Sequence, residues 1–194
     1  MLGPAFAVIA YLVGSISFAE IIARRAGIDI RAAGSNNPGA TNIGRVVGKR
    51  EGRRVLALDV LKGVIPAAIA SFLLDPMWLA VTGFCGVLGH CYPIWHGLRG
   101  GKGAATAAGV LVVLVPPAGL CAAITYLALR KLTRRASVGS LMGAVVGGVV
   151  ASLLTRFHTL PFELVLMAWG IALLVFLRHH DNLARLIAGT EPPS

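Results

Sequence analysis

The sequence predicts an all-α protein, a polytopic membrane helix bundle of seven transmembrane helices with the N-terminus outside and the C-terminus in the cytoplasm. Three observations predict it. The chain is 56% hydrophobic and only 13% charged, against about 25% charged in an ordinary soluble domain, and its mean hydropathy is +0.78. The window from Pro4 to Ile22 holds a single charge, Glu20, and similar windows follow, the hydropathy signal of helices in hydrocarbon. The third is the placement of the basic residues, 16 of 18 of which share one side under this topology, as the positive-inside rule requires.

The apolar segments run over 4–22, 55–74, 77–89, 104–129, 138–155 and 161–177. No Lys or Arg precedes the first and no small-residue cleavage site follows before Arg24, so it reads as a retained helix rather than a signal peptide. The second contains Asp59 and Lys62, three apart and hence on one face; charges are costly in a membrane helix, which predicts that they face the bundle interior and pair. The fourth carries Pro116 and Pro117 at its centre, where paired prolines break a helix. Lys102 precedes it and "RKLTRR" (130–135) follows, so a hairpin turning at the prolines puts both basic ends on one side and brings the count to seven. In the 138–155 segment Gly139, Gly143 and Gly147, continued by Ala151, form a face that lets a neighbouring backbone approach closely. Segments 77–89 and the hairpin halves are short for a hydrocarbon core about 30 Å thick, so either the bilayer thins there or these helices run on into the adjoining loops. Glu20 and Glu163 lie near helix ends and are expected to snorkel to the interface. Cys85, Cys91 and Cys121 are odd in number, lack a CxxC spacing and read as small buried hydrophobes. Residues 1–194 form one domain, without internal repeat.

Loops 23–54, 90–103 and 130–137 and the tail from Arg178 carry 8, 2, 4 and 2 basic residues, Arg156 lying on the other side and Lys62 within a span. A net charge of +10 calls for anionic partners, and the residues beside those charges indicate which. "GSNNPGATNIGR" (34–45) gathers turn-formers with the hydroxyls of Ser35 and Thr41, the amides of Asn37 and Asn42, and Gly39. Arg45 adds a guanidinium fork that matches two phosphate oxygens. By itself this is a polar connecting turn. A second stretch, "GHCYPIWHGLRGGKGAAT" (89–106), sets Arg99 and Lys102 among Gly100, Gly101 and Gly103 directly before an apolar helix, where free N–H groups and the helix dipole favour an anion. The spacing is not that of a Walker loop, since three residues separate Gly97 from Gly101 and Gly follows Lys102. His90 and His96 are six apart with no acidic cluster, which argues against a metal site. His90 is a candidate general base or phosphate donor, or a hydrogen-bonded loop residue. His179 and Asn182, at the end of the last span, could converge on the same pocket with Ser137 and Ser140. Membrane lipid and anionic small molecules, with no nucleic acid, are the partners expected.

These stretches, with "LDVLKG" and "RHHDNLARLIAGTE", together resemble the bacterial acyl-phosphate:glycerol-3-phosphate acyltransferases, the PlsY family, over ordered motifs from residue 34 to residue 191. The resemblance implies an integral enzyme of the bacterial inner membrane, with its active site facing the cytoplasm. It transfers a fatty acyl group from fatty acyl phosphate to the 1-hydroxyl of glycerol 3-phosphate, without cofactor or metal, releasing lysophosphatidic acid and phosphate in the first step of phospholipid synthesis. Two residues depart from the pattern: Asn36 stands where the family usually has Gly, and His96 where it usually has an apolar residue. Asn tolerates left-handed backbone, so the loop should keep its shape. No HxxxxD pair is present, the fifth residues after the histidines being Trp95, Gly101, Glu163, Ala184 and Arg185. A mixed anhydride has a good leaving group, so the enzyme mainly positions two anions and stabilises an oxyanion. Lys102 and Arg45 are expected to hold the glycerol phosphate, with Ser35, Asn182, His179 and Ser140 around them. The 37–42 backbone, with Asn37, Gly39, Thr41 and Asn42, and Gly100, Gly101 and Gly103 are expected to hold the acyl phosphate. His90 or a substrate phosphate oxygen takes the proton. The alternative is a transporter of phosphate or glycerol phosphate, which would place its site near the midplane on broken helices within inverted repeats.

Overall fold

The computed structural model describes residues 2–194, and among them no strand occurs. Ten α-helices follow in order: α1 (Leu2–Gly14), α2 (Phe18–Arg25), α3 (Ala40–Val46), α4 (Lys49–Ser71), α5 (Pro76–Cys91), α6 (Ala104–Leu114), α7 (Pro116–Thr133), α8 (Ala136–Arg156), α9 (Phe162–Arg178) and α10 (His180–Ile187), with one 3₁₀ turn, Ile94–His96, between α5 and α6. Local chemistry sets several boundaries. Ser17 Oγ accepts from the Glu20 N–H to start α2, and Asp75 Oδ1 accepts from the Trp78 N–H at 3.1 Å to start α5 behind Pro76, both ordinary N-caps. Pro116 has no N–H to continue α6 and occupies the first position of α7.

Glycine decides how the helices pack. A Cβ at Gly63 would stand 2.3 Å from the Thr106 carbonyl oxygen, and one at Gly109 2.2 Å from that of Val60, so α4 and α6 run antiparallel with their backbones in contact. The predicted small-residue face of α8 does what its spacing implies: Gly139 and Gly143 meet the Tyr126 and Ala122 carbonyls of α7, and Gly147 is filled by Leu111 and Ala122. Leu111 on α6 and Ala122 on α7 therefore meet over one residue of α8, and the proline break is a hairpin. α1 and α5 run parallel, Gly3 against Trp78 and Gly14 against Gly86. With these directions, the loops and tail that hold the basic residues gather at one end of the bundle, and Arg156 lies at the other.

Each of the seven predicted segments coincides with a helix or helix pair, but seven crossings do not follow from length and composition. Three stretches, Leu2–Arg25, Pro76–His96 and Ala136–Arg156, are long and apolar enough to cross a membrane, or four if α9 and α10, bent by 63°, count as one. α4 falls outside because its first turns hold Lys49, Arg50, Glu51, Arg53 and Arg54, and α6 because only 11 residues remain after the glycine turn.

Asp59 and Lys62 are buried and paired at 3.0 Å, as expected, and Lys62 Nζ also donates to the Ile16 carbonyl at 2.8 Å. Glu20 does not snorkel. It is buried, held by Arg31 and by Arg24 at 3.4 Å, and meets His96 Nδ1 at 2.9 Å. Two guanidinium groups and an imidazole nitrogen replace the water that snorkelling would have sought.

Candidate active site

The basic end of the bundle contains a cavity of about 340 Å³. Because Gly63 faces Thr106, the N-terminal part of α4 extends past the start of α6, so α3 and α4 make one wall of a recess floored by the α6 N-terminus.

The first wall is shaped by Asn42. Its Oδ1 accepts from the Ser35 N–H and its Nδ2 donates to the Ala33 carbonyl, both at 2.9 Å, so this amide ties the loop together instead of offering itself to a ligand. A Cβ at Gly34 would sit 2.2 Å from Asn42 Oδ1, and φ there is +62°, so glycine is required. Asn36 adopts φ +56°, the left-handed conformation expected of an asparagine in a glycine's place. The Gly39 N–H bonds back to the Asn37 carbonyl at 2.9 Å. Ser35, Asn37, Gly39, Thr41 and Arg45 line the cavity with Asn42. The Arg45 guanidinium donates to the carbonyls of Pro193 at 2.8 Å and Pro192 at 3.4 Å.

The floor corrects one expectation. Gly100 and Gly101 do not reach the cavity, and their N–H groups donate to the Cys91 and His90 carbonyls at 3.1 Å each. They are glycines because a Cβ at 100 would stand 2.1 Å from the His90 carbonyl oxygen and one at 101 2.2 Å from His90 Nε2. Gly103, with φ +81°, does line the cavity as the N-cap of α6, and among the described residues nothing accepts from the N–H groups of Lys102 and Gly103. Lys102 Nζ donates to Asn182 Oδ1. Burial pushes the Lys102 ammonium down to about 8, with Glu191 pulling the other way. His90 touches the cavity, but its ring is wedged between Gly101 and Asp59, whose Oδ1 lies 3.7 Å from Nδ1.

The third side comes from α8, α9 and the tail. His179 Nδ1 donates to the Val175 carbonyl at 2.8 Å, which leaves Nε2 as an acceptor in the cavity wall. Burial holds this imidazole down at about 4, so it is neutral near pH 7. Asn182 Nδ2 donates to Glu191 Oε1 at 2.6 Å, and Ser137 Oγ and Arg185 Nε donate to the same carboxylate at 2.8 Å each. Burial opposes ionisation of Glu191, but these hydrogen bonds keep its carboxyl below the ordinary glutamate range. Ser140 lines the cavity close by. Sequence reasoning did not single out Glu191 or Arg185; an acid inside a basic tail motif was the available signal. From this polar corner the cavity continues into an apolar branch between Leu56 and Val60 of α4, Leu111 of α6, Ala122 of α7 and Ile171 of α9. No cluster of three or more metal-ligating side chains occurs among the described residues.

Fold and site together define a helical membrane protein in which a single cavity combines fixed cations with an apolar branch, an arrangement suited to an amphiphile that bears phosphate. The family model described as glycerol-3-phosphate acyltransferase matches residues 4–189. A glycerol-3-phosphate acyltransferase of Shouchella clausii is 44% identical over 185 residues, covering 93% of this chain and 90% of that one. One of Aquifex aeolicus is 41% identical over 186 residues and 95% of each chain. The crystal structure of PlsY (YgiH), an integral membrane glycerol 3-phosphate acyltransferase, in its glycerol 3-phosphate form, is similar with a TM-score of 0.93 at 37% identity, over 100% of this chain and 96% of that one. Its lysophosphatidic acid form gives 0.89. The chain belongs to the glycerol-3-phosphate acyltransferase family and is an integral membrane enzyme, an acyltransferase of phospholipid biosynthesis.

Proposed function

We propose that this chain transfers a fatty acyl group from acyl phosphate to the 1-hydroxyl of glycerol 3-phosphate, giving lysophosphatidic acid and inorganic phosphate. The observation that carries this reading is the continuity of one cavity from a cationic corner (Arg45, Lys102, Arg185) to an apolar branch, which matches a reaction between a soluble phosphate and a lipid phosphate. Lys102 and Arg45 take the glycerol phosphate, with Ser35, Ser140, His179 and Asn182 about it. Asn37, Gly39 and Thr41, with the N–H groups of Lys102 and Gly103, take the acyl phosphate, whose chain follows the apolar branch. The 1-oxygen bonds to the carbonyl carbon, the bond from that carbon to the phosphate oxygen breaks, and phosphate leaves with the electron pair. Preorganised donors stabilise the oxyanion between these events. A phosphate oxygen accepts the hydroxyl proton, a choice supported by the wedging of His90 against Gly101.

The same reading takes α1 with α2, and α4 to α9 singly, as seven crossings of the bacterial inner membrane, with the N-terminus outside and the site facing the cytoplasm. The gathering of the basic loops at one end supports it. So do the stripes Leu61, Ile65, Ile69 on α4 and Leu120, Ile124, Leu127 on α7, all 46–62% exposed, which suit lipid rather than water. A site at the end of the bundle, without repeats, disfavours transport.

Purified protein in sealed vesicles, given radiolabelled glycerol 3-phosphate and palmitoyl phosphate, should move the label into the lipid extract only when both are present. Label that stays aqueous sinks the reading, and label accumulated unmodified inside the vesicles replaces it with transport.

A further inference from the structure

We propose that Arg31 and Arg178 are positioning residues that hold three consecutive carbonyls, those of Arg99, Gly100 and Gly101, and thereby fix Lys102 for phosphate; this rests on the acyl-transfer reading above. A turn with glycines at 97, 100, 101 and 103 has more conformational freedom than any other kind of segment, yet the group it carries must be held to a fraction of an ångström. Something other than its own side chains has to stiffen it.

The stiffening comes from both faces. On the N–H face, Gly100 and Gly101 bond to the Cys91 and His90 carbonyls that end α5. On the carbonyl face, Arg178 spreads its fork over two acceptors, Nη2 to Gly100 at 2.8 Å and Nε to Gly101 at 3.1 Å. Its guanidinium lies 5.0 Å from the centre of the Tyr92 ring, and the Tyr92 carbonyl accepts from Tyr11 Oη at 2.8 Å. Arg31 Nη2 donates to the Arg99 carbonyl at 2.6 Å while also bonding Glu20. Glu20 in turn receives His96, so the 94–96 turn is tied to the same carboxylate. Neither Arg31 nor Arg178 lines the cavity, so both act through the turn and not on a ligand. A planar fork is needed at Arg178, because an ammonium on one stem cannot serve two carbonyls in fixed directions.

Arg178→Lys keeps the charge and removes the fork. Its glycerol 3-phosphate affinity, measured by isothermal titration calorimetry, should fall roughly 10- to 100-fold, the size of effect expected for an ångström of misplacement, and the Michaelis constant for palmitoyl phosphate should rise as well, because the N–H groups of Lys102 and Gly103 move with the turn. A freed Lys102 also leaves its buried setting among Glu191, Arg185, Asp181 and Arg45. The alkaline limit of glycerol 3-phosphate binding should therefore move to higher pH, which a merely structural role would not cause. Arg31→Lys, at a separate anchor, should act in the same direction and decides the matter if Arg178→Lys does not fold. Parental affinity in the folded variants, or weaker binding with the alkaline limit in place, overturns the proposal. Failure of the parent protein to bind glycerol 3-phosphate overturns the acyl-transfer reading instead.

Discussion

Lys102 sits at the start of α6 between a buried amide and a glycine turn, and burial lowers its ammonium to about 8. A lowered lysine loses its charge as pH rises through that value. Glycerol 3-phosphate affinity should therefore be flat from pH 6.5 to 7.5 and decline from pH 8 to 9.5, and calorimetry should find that decline missing in Lys102→Arg, whose guanidinium stays charged. Lys102→Ala should abolish acyl transfer while eluting as folded protein. At Arg45 the tail carbonyls of Pro192 and Pro193 occupy the guanidinium, and a phosphate must displace them. Arg45→Ala should raise the Michaelis constant for glycerol 3-phosphate roughly 10- to 150-fold, the equivalent of about 1.5–3 kcal/mol for a charged hydrogen bond, and that for acyl phosphate much less. Asn36→Gly, at φ +56°, changes no contact to the cavity and should leave turnover within about threefold. A dead Asn36→Gly enzyme beside an unaffected Arg45→Ala enzyme would remove this loop from phosphate binding.

At the level of helices, the bundle is held by backbone approach at glycine more than by large apolar side chains, many of which face outward. Lipid offers apolar side chains no less than another helix does, so close packing has to supply the association. Gly63 and Gly109 form a reciprocal contact between α4 and α6, and these two helices carry one wall and the floor of the recess. Gly109→Ala should lower the thermal unfolding midpoint in detergent by an amount corresponding to about 1–3 kcal/mol of overpacking and depress turnover with it. Gly86→Ala is the matched control on α5. Its Cβ would meet nothing nearer than 3.8 Å, so its midpoint should hold or rise slightly. Equal losses for the two would mean that glycine flexibility, not the α4–α6 contact, is what matters.

For the whole molecule, the basic loops share one end and Arg156 the other. Labelling of single cysteines by an impermeant maleimide in intact cells and inverted vesicles, in a background with Cys85 and Cys121 replaced by alanine, tests the orientation. Ala32→Cys, in the exposed first loop, should react only in inverted vesicles, and Thr159→Cys, in the exposed α8–α9 turn, only in intact cells. Either site labelled from the opposite face would overturn the seven-span arrangement, since an odd number of crossings must separate them.

Apolar segments, the proline hairpin, the glycine face of α8, the Asp59–Lys62 pair and the motif loops were legible in the sequence, because each depends on spacing or on the cost of a charge in hydrocarbon. Of the residues expected at the site, Ser35, Asn37, Gly39, Thr41, Asn42, Arg45, His90, Lys102, Gly103, Ser140, His179 and Asn182 all line one cavity. Their types announced anion chemistry before any geometry was known. What the sequence could not specify was which way each group is turned. Asn42 spends its amide on its own loop, His90 is shut behind Gly101, and the N–H groups of Gly100 and Gly101 are used by α5. Glu20 is buried rather than lifted to the interface because Arg31 and His96 reach it from other segments and join Arg24 of its own helix. Glu191 enters the site only because the tail folds back over α8 and α10. A residue's type states which hydrogen bonds it can make, whereas the partner that takes each bond is chosen by segments distant in the chain, and that choice exists only once the helices have packed.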